Sequence, residues 1–139
     1  MSNLKLLLLN RTEWFAKEIM SGMQNSPYRY LTPAQSKLLA TMAGKPFSIS
    51  ELARRMAISR QAVHKTVTDL VKLGILALSE DPTNRTSKLV SYTEEGKKVN
   101  KSGADQIQKI EEAIAQKIGA DNLAKLKEVL AMNWDSPAD

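Results

Sequence analysis

The chain contains no cysteine, so it forms no disulfide, binds no metal through thiolates and senses no oxidant through a thiol. It has one histidine, His64, so a transition-metal site would need carboxylates for every other ligand, which disfavours one. The six glycines stand singly and build no phosphate-cradling loop. No nucleophile stands with a base and an orienting acid, so the sequence points away from an enzyme and implies no cofactor. Long apolar runs are also missing. The run Leu6 to Leu9 follows Lys5 and stops at Asn10 and Arg11, too short for a signal-peptide core or a membrane span. These absences predict a soluble, cytoplasmic protein.

What is present fits one domain. The chain has 139 residues, 42% of them hydrophobic, enough for a single core. The net charge of +5 favours an anionic partner such as nucleic acid. Its distribution says more than its total: residues 1–49 carry six Lys/Arg and two acids, and residues 50–93 carry seven and four. Residues 94–128 carry seven of each. The excess positive charge therefore lies in the first two thirds.

Apolar spacing predicts a helix over 4–24, with Leu4, Leu8, Phe15, Ile19 and Met23 at helical intervals and Leu6, Leu7, Leu9 and Trp14 widening the stripe. A helix apolar on more than one side needs more than its own core to cover it, and a partner chain would supply this. Asn25-Ser26-Pro27 breaks it. Thr32 then opens a second helix, with Pro33 first and Gln35 third. Ser48 and Glu51 form a Ser-x-x-Glu capping box before Leu52, Ala53 and Met56. Ser59 caps the next helix, about Arg60 to Leu73, whose Val63, Val67 and Leu70 point inward. Beyond Gly74, Ile75 to Leu78 and Leu89 to Tyr92 read as two strands around a polar turn, Asp81 to Thr86. Thr93 caps a long last section with Ile107, Ile110, Ile114 and Ile118 in a three-four pattern. Asp121 restarts a helix carrying Leu123, Leu126 and Leu130.

The two short helices, Ser48 to Ala57 and Ser59 to Leu73, have the form of a helix-turn-helix. On the second, Ser59 opens a face that continues with Arg60, Gln61, His64, Lys65 and Thr68. The five after Ser59 include no acid and begin at the helix N-terminus, the end that enters the major groove in this motif. Arg, Gln and Thr are also the groups that read base edges. Arg85 and Lys88 flank the hairpin turn and could reach backbone or minor groove. Arg54 and Arg55 are candidate phosphate contacts.

Residues 31–97 resemble the winged helix-turn-helix core of the MarR family of bacterial regulators. The resemblance rests on Leu31-Thr32-Pro33-Ala34-Gln35, on Glu51-Leu52-Ala53, on Ser59 through Gly74, on Asp81-Pro82 and Arg85, and on Thr93-Glu94-Glu95-Gly96. It implies a mainly α fold with a two-stranded wing, a DNA-binding lobe over 31–97, and dimerisation helices over 1–30 and 98–139. It further implies a homodimer that binds a palindromic operator on double-stranded DNA, acts as a repressor, and responds to a small aromatic or anionic effector. The family's wing tip typically carries Asp-x-Arg, whereas Asn84, Arg85 and Thr86 stand here, so its internal ion pair cannot form. Tyr92, where the family usually has Leu, reads as a conservative packing change. The altered tip leaves open a second reading, a winged-helix dimer that works as a protein-interaction module without reading DNA.

Overall fold

Five helices start where a side-chain oxygen accepts a backbone N–H three residues on: Asn3 from Leu6, Thr32 from Gln35, Ser48 from Glu51, Ser59 from Ala62 and Thr93 from Gly96. Each satisfies an amide that the helix itself cannot. The computed structural model describes residues 2–135; the end of the 98–139 segment, 136–139, lies outside them. The elements are α1 (Leu4–Gln24), α2 (Pro33–Met42), β1 (Phe47–Ser48), α3 (Ile49–Met56), α4 (Arg60–Lys72), β2 (Leu76–Asp81), β3 (Asn84–Tyr92), α5 (Glu94–Ile118) and α6 (Ala120–Ala131).

The expected caps at Thr32, Ser59 and Thr93 are present, and at Thr32 the Gln35 side chain returns a bond to complete the box. At Ser48 the box is only half made, because the Glu51 carboxylate turns to Arg54 and Arg55 instead. The last helix starts at Ala120 behind Gly119, with no side-chain cap, and Asp121 lies in its first turn.

The wing belongs to a three-stranded antiparallel sheet ordered β1-β3-β2. The two-residue β1, unforeseen in the sequence, pairs Phe47 with Val90 and Ser48 with Leu89. The strands also run further than their apolar residues suggested. Only Pro82 and Thr83 separate β2 from β3, and Asn84 to Thr86, expected in the turn, lie in β3. Glu80 pairs with Lys88 and Asp81 with Asn84, so Arg85, Thr86 and Ser87 form a bulge with nothing opposite them.

One apolar core lies between α2, α3, α4 and the sheet. Leu38, Met42, Leu52, Val63, Val67, Leu70, Ile75, Leu76 and Val90 are fully buried, which includes every inward position expected on α4. That helix ends in a Schellman motif: Gly74, at φ 78°, donates to Val71, and Ile75 donates to Leu70. The flanking helices differ sharply. On its own the chain buries only Met23 of α1 and nothing of α6. No helix among the described residues is long and apolar enough to cross a membrane.

The join between sheet and α5 is tight. Thr93 Oγ1 donates towards the Gly74 and Ile75 carbonyls at 2.5 and 3.0 Å while accepting from Gly96 N. A Cβ on Gly96 would stand 2.0 Å from the Ile75 carbonyl oxygen. Tyr92 does more than the packing expected of it, since its hydroxyl donates to the Leu39 carbonyl near the end of α2 at 2.9 Å. Burial pushes its phenol pKa up, partly opposed by the Gly44 backbone N–H. Tyr92→Phe should lower unfolding stability by about 1 kcal/mol and Gly96→Ala by about 3 kcal/mol, both measured by urea denaturation.

Candidate nucleic-acid interface

The helix-turn-helix turn is made by Ala57, Ile58 and Ser59. Ala57 sits at φ 55°, a left-handed conformation that an L-residue other than glycine adopts at a cost. It lets Ala57 N bond Arg54 O and Ile58 N bond Ala53 O, closing α3 before Ser59 opens α4. Ser59 Oγ is committed to Ala62 N at 3.0 Å, although its hydroxyl hydrogen stays available to an acceptor.

Along α4, at roughly 100° per residue, Arg60, Gln61, His64, Lys65 and Thr68 fall within about 140° of arc, and the buried Val67 and Val63 lie about 20° and 60° beyond its Arg60 edge. Arg60, Gln61, His64 and Lys65 are exposed and Thr68 is half-buried. Arg60 and Gln61 make no side-chain bond among the described residues, so their donors are free for a ligand. His64 Nδ1 and Thr68 Oγ1 make a long contact of 3.5 Å. Lys65 reaches Asp69 at 3.4 Å. This acid at the edge of the face was not among the residues singled out in the sequence, although Lys and Asp four apart on a helix signal such a pair.

Arg54 and Arg55, on α3, share one acid. Glu51 accepts from Arg54 through Oε2 and from Arg55 Nε through Oε1, the latter at 2.8 Å. Arg54, then Arg55, hold the Glu51 carboxyl below its usual range, and Glu51 in turn raises the Arg54 pKa. Arg55 also lies over the Phe47 ring, 4.6 Å from its centroid. Arg54, Glu51, Ser50 and Arg60 line one shallow recess where α3 meets the start of α4. Arg54 and Arg60 thus come together around one depression.

The wing tip is held by side chains accepting from backbone. Asp81 Oδ1 accepts from Thr83 N at 2.9 Å and Thr83 Oγ1 at 2.8 Å. Asn84 Oδ1 accepts from Thr86 N at 3.0 Å and Thr86 Oγ1 at 2.7 Å. Across the three positions where the ion pair of the family is missing, a neutral amide and a hydroxyl make the link instead. Arg85 projects from the bulge, exposed and without a side-chain partner among the described residues. Lys88 pairs with Glu80 on the facing strand, which offsets its charge. Ser87 is buried and lies 3.4 Å from Ser50 on α3, a link between wing and helix-turn-helix that the sequence did not reveal.

The Thr83 amide and hydroxyl, with the Asn84 amide, hold the Asp81 carboxyl below its usual range. A depressed carboxyl contributes order above its unfolded pKa and loses it as pH falls through the lower folded value. Acid titration by NMR should therefore shift the Thr83 amide proton with an apparent pKa below the ordinary Asp value. The Thr86 amide, bonded to a neutral acceptor, should not follow it.

Residues 31–85 match the family model described as MarR family. Over 68 residues the chain is 35% identical to an uncharacterized protein of Mycobacterium tuberculosis, covering 49% of this chain and 48% of that one. Over 62 residues it is 36% identical to the transcriptional regulator AdcR of Streptococcus pneumoniae, covering 45% and 41%. The matched part thus spans about half the length of these curated relatives. Wild-type MarR from E. coli superposes with a TM-score of 0.75 over 94% of this chain and 95% of that chain at 19% identity. NadR in complex with 4-hydroxyphenylacetate does so with 0.76 over 94% and 92% at 18% identity. The segment from Leu31 to Arg85 is thus similar to the MarR family model, in a chain whose fold matches that of MarR over 94% of its length.

Proposed function

We propose that this protein is a sequence-specific regulator of transcription that binds double-stranded DNA as a homodimer in the cytoplasm and represses by occupying a palindromic operator. The observation that carries this reading is the exposed N-terminal face of α4, where Arg60 and Gln61 stand unpartnered beside His64, Lys65 and Thr68. Such a face has the donors that major-groove base edges require. Ser59 is placed to meet a phosphate at the helix start. Arg54, Arg55, Arg85 and Lys88 add positive charge around it.

The dimer reading rests on the flanking helices. Leu4, Leu6, Leu7 and Leu9 on α1, and Leu126, Val129 and Leu130 on α6, are exposed, apolar side chains that a partner chain would cover. The dimerisation helices lie within the segments 1–30 and 98–139, around a reading lobe over 31–97. Sedimentation of the full chain at micromolar concentration should give twice the chain mass, and Leu7→Glu with Leu126→Glu should shift it to one chain.

An effector fits between these parts. A cavity of about 240 Å³ lies among α1, α2 and α5, lined by Ile19, Met23, Leu39 and Val99, with Ser36 and Asn100 as polar groups. The Ser36 hydroxyl is buried without a partner among the described residues. The lining carries no charged side chain, so an uncharged aromatic compound suits it better than an anion.

Sequencing genomic fragments retained by the purified protein would give the operator, with half-site centres about 10 base pairs, or a multiple, apart. On that operator Arg60→Ala should cost about 1 to 3 kcal/mol, with little loss on random DNA, if Arg60 reads a base. Equal loss on both sequences, with a salt dependence flatter by about one unit, would make it a phosphate contact. Absence of any DNA binding at low salt would favour the protein-interaction reading instead.

A further inference from the structure

Arg54 and Arg55 are adjacent and chemically alike, yet α3 holds them differently. Arg55 is fixed from two sides. Its Nε donates to Glu51 Oε1 at 2.8 Å, and its guanidinium covers the ring of Phe47 at 4.6 Å. Phe47 is itself half-buried and paired to Val90 in the sheet, so the platform under Arg55 is part of the fold. Arg54 is tied only to Glu51, through Nε and Nη2. Its Nη1 has no partner among the described residues, and its side chain is 77% exposed against 53% for Arg55. Arg54 is also the one that shares the recess with Arg60.

Glu51 explains the division. It stands at the third position of α3, where a glutamate ordinarily returns to the capping residue, but its two oxygens are spent on the two arginines. A carboxylate and a DNA phosphate compete for the same guanidinium donors. For Arg54 the competition is open, since the group can keep its bonds to Glu51 and still offer Nη1. Arg55 bonds Glu51 through Nε alone and keeps Nη1 and Nη2 unbonded among the described residues, so what holds it back is the Phe47 ring and its lesser exposure rather than a shortage of donors.

Resting on the DNA-binding reading above, we infer that Glu51 is a positioning residue that separates the two arginines: with Phe47 it anchors Arg55 against the protein and leaves Arg54, beside Arg60, to meet the DNA phosphate. Glu51 thereby also limits how many phosphates this edge can neutralise, restraining binding to DNA of any sequence.

The test uses the full chain and a random-sequence duplex, with affinity followed across a salt series for wild type, Arg54→Gln, Arg55→Gln and Glu51→Gln, each checked for native fold by far-UV circular dichroism. Arg54→Gln should flatten the slope of log affinity against log salt by about one unit for each protomer bound. Arg55→Gln should leave the slope unchanged. Glu51→Gln should release Arg55 and steepen the slope by about one unit for each protomer bound, so that lowering salt from 200 to 50 mM tightens binding roughly three- to fourfold more per protomer than in wild type. The Arg55 δ-protons should carry an upfield ring-current shift from Phe47 that survives DNA addition and disappears in Phe47→Leu. An Arg55→Gln slope as flat as that of Arg54→Gln, or a Glu51→Gln slope equal to wild type, overturns the inference while leaving DNA binding intact. Failure of the wild type to bind DNA at all overturns the DNA reading and the phosphate role of Arg54 together, and the Arg55 ring-current shift then still reports whether Arg55 is anchored.

Discussion

The close approach of Gly96 to the Ile75 carbonyl organises the rest of the chain. At this point the end of α4, the last residue of the wing and the first turn of the long α5 meet within a few residues. Thr93 spans all three by bonding the Gly74 and Ile75 carbonyls and the Gly96 amide. There is no space for a side chain at Gly96, so backbone rests on backbone. Contacts of that kind have little freedom to slide, because interiors at this density do not deform smoothly. Val99, one turn further along α5, is already in the core of the lobe. The long helix is thus rooted in the same core as α4.

Away from that root the chain is built on two different principles. Residues 31–97 hold most of the buried core, which Met23 from α1 and Val99 from α5 complete. The flanking helices are held along part of their length, by Met23 against the lobe and by such links as Lys127 to Glu111 between α6 and α5, a surface pair of modest worth. In the proposed dimer, a partner chain would cover the apolar surface that remains on them.

How much of this could be read in the sequence follows from the range of each interaction. Helix starts were legible because a cap and its target amide are three residues apart. The core face of α4 was legible because Val63, Val67 and Leu70 repeat at helical spacing. The two-residue β1 was not, since Phe47 and Ser48 are a strand only by virtue of partners more than forty positions away. Tyr92 resembled a packing residue for the same reason: its acceptor, Leu39, is on α2, 53 positions away. The half-made box at Ser48 shows a different limit. The motif was present at the right spacing, but Arg54 and Arg55 offered the Glu51 carboxylate stronger donors than the capping amide. Among the site residues the sequence identified the polar face of α4, and missed Asp69 at its edge and the buried Ser50 to Ser87 contact beneath the wing.

The wing tip has one more consequence. An ion pair within the tip would weaken as salt rises, as the exposed Lys88–Glu80 pair at its base does, since mobile ions screen exposed charges over about 10 Å at 0.1 M. The link from Asn84 to Thr86 has no net charge to screen, and the Asp81 bonds run to uncharged donors. The geometry that presents Arg85 should therefore persist through changes in the ionic content of the surrounding fluid, such as those that follow osmotic stress, even while the attraction of Arg85 for phosphate rises and falls with them. In this wing, shape and charge respond separately to the medium.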